Sequence, residues 1–161
     1  MQKIVNSYIS SFKGLPKEIW WLSLITLINR AGTMVIPFLS IYLTKEKGMS
    51  LELVGWIMSA FGLGSVFGAM LGGWLTDKFG AYPVMVFSLG SAAIGFICTQ
   101  FFSSFIGIAF IVFLVVLLAD LFRPALFVTI KTYSNEATQL RSTSLIRLAI
   151  NLGFSFGPFL G

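Results

Sequence analysis

Apolar runs alternate with short polar islands along this chain. Residues 20–43 are apolar apart from Arg30 and a few small polar side chains, and they end at a polar stretch, 44–50, that carries Lys45, Glu46 and Lys47. Residues 53–76 hold no charge and stop at Asp77 and Lys78. A helix that crosses a bilayer needs about 20 mostly apolar residues, so each run predicts one transmembrane helix. No charge then follows Lys78 until Asp120. As one helix that gap would extend roughly 60 Å, about twice the hydrocarbon thickness, so the chain must fold back. Thr99-Gln100 followed by Ser103-Ser104 supplies the polar turn. This predicts a third helix over 82–101, a fourth over 104–130, a polar loop over 131–139, and a fifth apolar segment from about Ser142 that is still running at Gly161. A helix that stopped inside a bilayer would leave its last carbonyls without partners. The expectation is therefore an all-α membrane protein in which 20–161 forms the first five helices of a longer bundle, cut within the fifth.

Residues 1–19 form a separate, cytoplasmic N-terminal segment. The apolar run after it is too long for a signal peptide, contains Arg30 and lacks a small-residue cleavage site. Ile4, Tyr8, Ile9 and Phe12 fall near one helical face with lysines around them, so both an interfacial amphipathic helix and a frayed tail fit. Orientation follows from the basic residues of the short loops. With the N-terminus inside, Lys3, Lys13, Lys17, Lys78, Lys131 and Arg141 are cytoplasmic, and only Lys45 and Lys47 lie outside.

Composition agrees with this picture. The chain has 161 residues, 57% hydrophobic and 11% charged, whereas soluble domains are about 25% charged. The net charge of +5 comes from scattered lysines and arginines, not from a basic stripe, so nucleic acid is not an expected partner. There is no histidine and a single cysteine. With no phosphate-binding glycine loop, metal cluster or nucleophile–base pair, no cofactor, metal or enzymatic activity is expected.

Four ionisable residues fall inside the predicted spans: Arg30, Asp120, Arg123 and Arg147. Each costs at least about 2.5–3.5 kcal/mol to insert at depth, so such residues usually face the interior, pair, or line a pathway. Arg30 is roughly 15 Å along its helix from Trp20, and Asp120 roughly 16 Å from Lys131, which puts both near the midplane. Arg123 lies one turn from Asp120 on the same face. Asp120 is the only carboxylate in any span, so a side chain that takes up a proton at depth must be this one. The excess of arginine points to an anionic group on a substrate, or to acidic partners elsewhere. A substrate or proton pathway through Arg30, Asp120, Arg123, Arg147 and Asn151 is one expectation; a structural ion-pair network that anchors the helices is the other.

Small residues form two stripes. Ala60, Gly64, Gly68 and Gly72 on the second predicted helix and Ala149, Gly153, Gly157 and Gly161 on the fifth recur at four-residue spacing. Each stripe makes a flat face that another backbone can approach, either as static packing or as a surface on which bundles shift. The end of the second helix reads Gly73-Trp-Leu-Thr-Asp77-Lys78-Phe-Gly80, and the fifth contains Gly153-x-x-x-Gly157-Pro158-x-x-Gly161. The first resembles the loop 2–3 signature of the major facilitator superfamily, except that its final two basic positions are Ala81 and Tyr82. The second resembles the core of that family's antiporter motif, with Ser144 in place of an upstream glycine. Arg123 stands where the family often has a membrane-embedded arginine, although Pro124 follows instead of the usual glycines.

This resemblance implies a twelve-helix fold of two six-helix halves, with this chain forming most of the N-terminal half. It implies a proton-coupled secondary transporter of the plasma (inner) membrane, tilted toward antiport or efflux, with a small-molecule substrate, protons, the lipid bilayer and a C-terminal half as partners. Asp77 would contact the inner end of a helix of that other half in the outward-open state, with Gly73 allowing close approach and Gly80 a tight turn. The alternative for Asp77 and Lys78 is a solvated, positive-inside loop. Two other functions compete: carriage of a small organic anion within the same superfamily, and a membrane scaffold whose glycine stripes serve only assembly.

Overall fold

The computed structural model describes residues 12–32 and 35–160. It is all helical: α1 (Lys17–Gly32), α2 (Val35–Lys45), α3 (Leu51–Phe79), α4 (Ala81–Cys98), a 3-10 turn (Thr99–Phe101), α5 (Phe105–Asp120), α6 (Phe122–Tyr133) and α7 (Glu136–Leu160). The helices group into two compact units, one of residues 36–128 and one of residues up to 35 with 129–161.

In the first unit α5 is the central helix, packed most extensively on α3 and next on α4. Its sequence, FIGIAFIVFLVVLLAD, is apolar on every side until Asp120, as expected of a helix surrounded by neighbours or lipid. Leu43, Val54, Ile57, Ile108 and Val112 form a core at one end, with Phe61, Phe102 and Phe105 packed around it. The helix starts are chemically specified. The Ser50 hydroxyl accepts from the Leu53 N–H at 3.4 Å and the Ser104 hydroxyl from Gly107 at 3.1 Å, satisfying N–H groups that have no partner inside their helices. Gly80 alone separates α3 from α4. Its φ of 88° lies in a region that side chains rarely adopt, and its N–H closes α3 on the Thr76 carbonyl.

In the second unit α1 packs against α7. Ile19, Leu22, Ser23, Thr26 and Arg30 are buried on α1, and Ser142, Leu145, Ile146, Ala149 and Gly153 on α7. Both sets follow the same i, i+3, i+4, i+7, i+11 spacing, which keeps one stripe on one face. Leu15, Ile19 and Leu145 close the end of this seam.

Three stretches among the described residues are long and apolar enough to cross a membrane: Leu51–Phe79, Ala81–Phe101 and Phe105–Tyr133. The expected helix over 20–43 corresponds to α1 and α2, and residues 33–34 between them lie outside the described residues. The fifth expected span corresponds to α7, whose first half is rich in hydroxyls and carries Arg141. The expected loop over 131–139 contracts to Ser134 and Asn135, a correction with a clear cause. Asn135 caps α7: its Oδ1 accepts from the Thr138 N–H at 2.9 Å while its own N–H donates to the Thr138 hydroxyl at 3.0 Å. That reciprocal cap lets polar residues start a helix. Residues 1–11 of the N-terminal segment lie outside the described residues.

Candidate functional site

The predicted fourth span is broken at Leu121, between α5 and α6. Pro124 explains the break. It has no N–H for the carbonyl four residues back, at Asp120, and its ring crowds that carbonyl. As the third residue of α6 it is well tolerated, because N–H groups of a first turn have no intrahelical partner anyway. Polar groups from the flanking helices gather at the break. The Ser88 hydroxyl of α4 donates to the carbonyls of Leu118 at 2.7 Å and Ala119 at 3.2 Å. Across the break, Asp120 Oδ1 pairs with Arg123 Nε at 3.0 Å. The Ser65 hydroxyl of α3 donates to the other oxygen, Asp120 Oδ2.

Asp120 and Arg123 each sit at the unfavourable end of their own helix. A carboxylate at a C-terminus and a guanidinium in a first turn both oppose the helix dipole, and their pairing offsets both. Exposure separates them. Asp120 is buried at 8%, whereas the Arg123 side chain is 49% exposed. The arrangement is a sequestered acid with one charged neighbour that still reaches outward. Within the unit α3 carries no charged residue between Glu52 and Asp77, α4 none, and α5 none before Asp120.

The glycine stripe of α3 creates this proximity. A Cβ on Gly64 would lie 2.5 Å from the Phe113 carbonyl oxygen, and one on Gly68 would lie 2.5 Å from that of Leu117 and 3.1 Å from Asp120 Cβ. One on Gly72 would lie 2.8 Å from Leu121 and Pro124 atoms. This stripe packs within one unit, against α5, Leu121 and Pro124. That face is consumed inside the chain and is not free for self-association.

Arg30 belongs to the other unit. It is buried at 7% on the α1 stripe that meets α7. A Cβ on Gly153 would lie 2.7 Å from Arg30 Cβ and 2.8 Å from the Leu27 carbonyl oxygen. The structure thus brings together two residues that the sequence singles out separately. Arg147 and Asn151 occupy an exposed face of α7, one turn apart. Gly157 and Pro158 fall in its last turns, and Gly161 lies outside the described residues.

The loop motif is open. Gly73 has nothing within 4 Å of where its Cβ would be, and Asp77 and Lys78 are exposed. The Lys78 ammonium lies over the rings of Trp74 at 4.9 Å and Phe79 at 5.3 Å, a cation–π arrangement that holds its charge beside apolar surface.

The sequence reading missed Ser65 and Ser88. Both are hydroxyls in apolar helices, and Ser65 sits three residues before the stripe glycine Gly68, a spacing that places it on nearly the same face. That spacing is the signal that would have found it.

Comparisons with known proteins agree with the motifs. The model of the Major Facilitator Superfamily matches residues 22–161. Over 160 residues the chain is 34% identical to the uncharacterized MFS-type transporter YqjV of Bacillus subtilis (strain 168), an alignment that covers 95% of this chain and 38% of that protein. It is 28% identical over 140 residues to the uncharacterized MFS-type transporter YdeE of Escherichia coli (strain K12), covering 86% and 35%. A shorter match, 38% identical over 68 residues, covers 42% of this chain and 15% of the "Probable galactarate/D-glucarate transporter GudP" of Pseudomonas putida. The chain spans little more than a third of the length of the first two relatives.

Proposed function

The chain belongs to the Major Facilitator Superfamily, a multi-pass membrane family of transporters and not of enzymes, and from that premise we propose that it serves a secondary carrier driven by protons. A small molecule crosses by alternating access, two helical halves rocking about a midplane site. The observation that carries the coupling is the buried Asp120 carboxylate, bonded by Ser65 and paired with Arg123 at 3.0 Å in an otherwise apolar helix. When the acid takes up a proton from the aqueous side, it loses its negative charge and Arg123 loses its counter-ion. The carrier thereby responds to the proton gradient.

The remaining assignments belong to the same proposal. Residues 20–161 form five spans of an N-terminal half in the plasma (inner) membrane, with the N-terminus and Lys78 inside. Gly73, Asp77, Lys78 and Gly80 form a gate toward a C-terminal half, and the exposure of Asp77, Lys78 and Gly80 leaves them accessible to such a partner. Gly153, Gly157, Pro158 and Gly161 form the antiporter-like motif, which tilts the direction toward efflux. Arg30, Arg147 and Asn151 complete the pathway.

A second reading, carriage of a small organic anion, is favoured by one observation. The Arg123 guanidinium is half exposed, and a fork of donors suits a carboxylate. The similarity to a transporter named for galactarate and D-glucarate points the same way. Reconstitution of the product of the complete reading frame into proteoliposomes separates the two. Proton antiport of a drug-like compound predicts gradient-dependent movement of cationic dyes, and the anion reading predicts movement of labelled galactarate instead. Movement of solute that ignores the pH gradient contradicts proton coupling in either form.

A further inference from the structure

We propose that Ser65 is the positioning residue of the Asp120 proton site, an inference that rests on the proton-coupled reading above. Helix α3 carries three hydroxyl side chains, Ser59, Ser65 and Thr76. Two of them donate back to their own helix: Ser59 to the Gly55 carbonyl at 3.0 Å and Thr76 to the Gly72 carbonyl at 2.6 Å. This is the usual resting place of a hydroxyl within a helix. Ser65 departs from the pattern and donates to Asp120 Oδ2 on α5. So short a side chain reaches the neighbouring helix only because the backbones nearly touch, and Gly68 is what lets them touch. Its absent Cβ is the space that the Leu117 carbonyl and Asp120 Cβ occupy.

The two oxygens of Asp120 are thereby divided. Oδ2 faces the neutral donor on α3, and Oδ1 faces the charged donor, Arg123, on the far side of the helix break. Among the described residues Arg123 pairs with the acid; the charges nearest along α3 are Glu52 and Asp77, α4 has none, and α2 carries Lys45 at its far end. A hydroxyl both donates and accepts. While Asp120 is ionised, Ser65 donates to Oδ2. When a proton from the aqueous side binds Oδ2, the Ser65 O–H turns away and its oxygen accepts from the new acid O–H. The carboxyl group stays in place through both states, and the change passes to Oδ1, where Arg123 loses its ionic partner. Alanine at 65 holds neither state.

Infrared difference spectroscopy on the purified full-length protein, recorded between neutral and acidic pH, tests this. The wild type should show a protonated-carboxyl C=O band that Asp120→Asn abolishes. Ser65→Ala should keep that band but move it to higher frequency and lower gradient-driven transport about tenfold, the size expected for loss of a hydrogen bond to a charged group. Ser65→Thr should restore band position and rate, and Ser59→Ala should change neither. An Asp120-dependent band that Ser65→Ala leaves in place overturns the role of Ser65 while sparing Asp120. The absence of any such band overturns the Asp120 reading and the role of Ser65 with it.

Discussion

Helix α3 carries glycines of two kinds. On one face Gly64 and Gly68 have backbone of α5, and Gly72 the backbone of Leu121 at the helix break, where their Cβ atoms would stand, at 2.5 to 2.8 Å. Elsewhere on the helix Gly55, Gly62 and Gly73 have nothing within 4 Å. The first set is needed by this chain: without those glycines α5 cannot approach, and Ser65 cannot reach Asp120. The second set does nothing for packing within the unit. Glycine weakens a helix by roughly 0.5–1 kcal/mol relative to alanine, so a glycine that nothing touches is either replaceable or reserved for a contact from outside this unit. Gly73, one turn before the exposed Asp77, fits the latter, and Gly62 the former.

Substitutions sharpen or break this contrast. Gly68→Leu should have the largest effect, because a branched side chain cannot enter a space already filled by the Leu117 carbonyl. No correctly folded protein should be recovered by size-exclusion chromatography in detergent. Gly64→Ala and Gly72→Ala should each destabilise the protein by about 1–3 kcal/mol, the cost of overpacking, read as a lower thermal midpoint. An unchanged midpoint in both would dissolve the seam. Asp77→Asn should reduce transport roughly fivefold, in keeping with loss of a carboxylate–helix contact, and leave the thermal midpoint where it was, since Asp77 is exposed. Smallest of all, Gly62→Ala should raise stability by about 0.5–1 kcal/mol with transport intact, whereas Gly73→Ala should gain the same stability and lose transport. Equal behaviour of the last two would remove the distinction between spare and reserved glycines.

Much of the fold is legible in the hydrophobic pattern, since charge-free runs of about 20 residues leave little choice but apolar helices. The helices over 51–79 and 81–98 begin and end within a few residues of the positions expected from Asp77–Lys78 and Thr99–Gln100. The start of α7 depends on a cap at Asn135, which a reading based on polarity turns into loop. At the site, Asp120 and Arg123 stand out as charges in oily sequence, and their i, i+3 spacing already pairs them. Ser65 does not stand out, because its partner is on another helix and serines within apolar helices usually bond to their own backbone. Seeing it requires the glycine stripe to be read as a contact with one particular neighbour.

Gradient-driven flux in proteoliposomes carrying Asp120→Asn decides whether this acid couples the carrier to protons. The variant removes the ionisable group but keeps its shape, so the protein should fold and still exchange substrate across the membrane at equal pH. Accumulation against a concentration gradient should vanish when only a pH difference drives it. Full pH-driven accumulation by Asp120→Asn would show that the proton is carried elsewhere and that the Asp120–Arg123 pair merely ties α5 to α6.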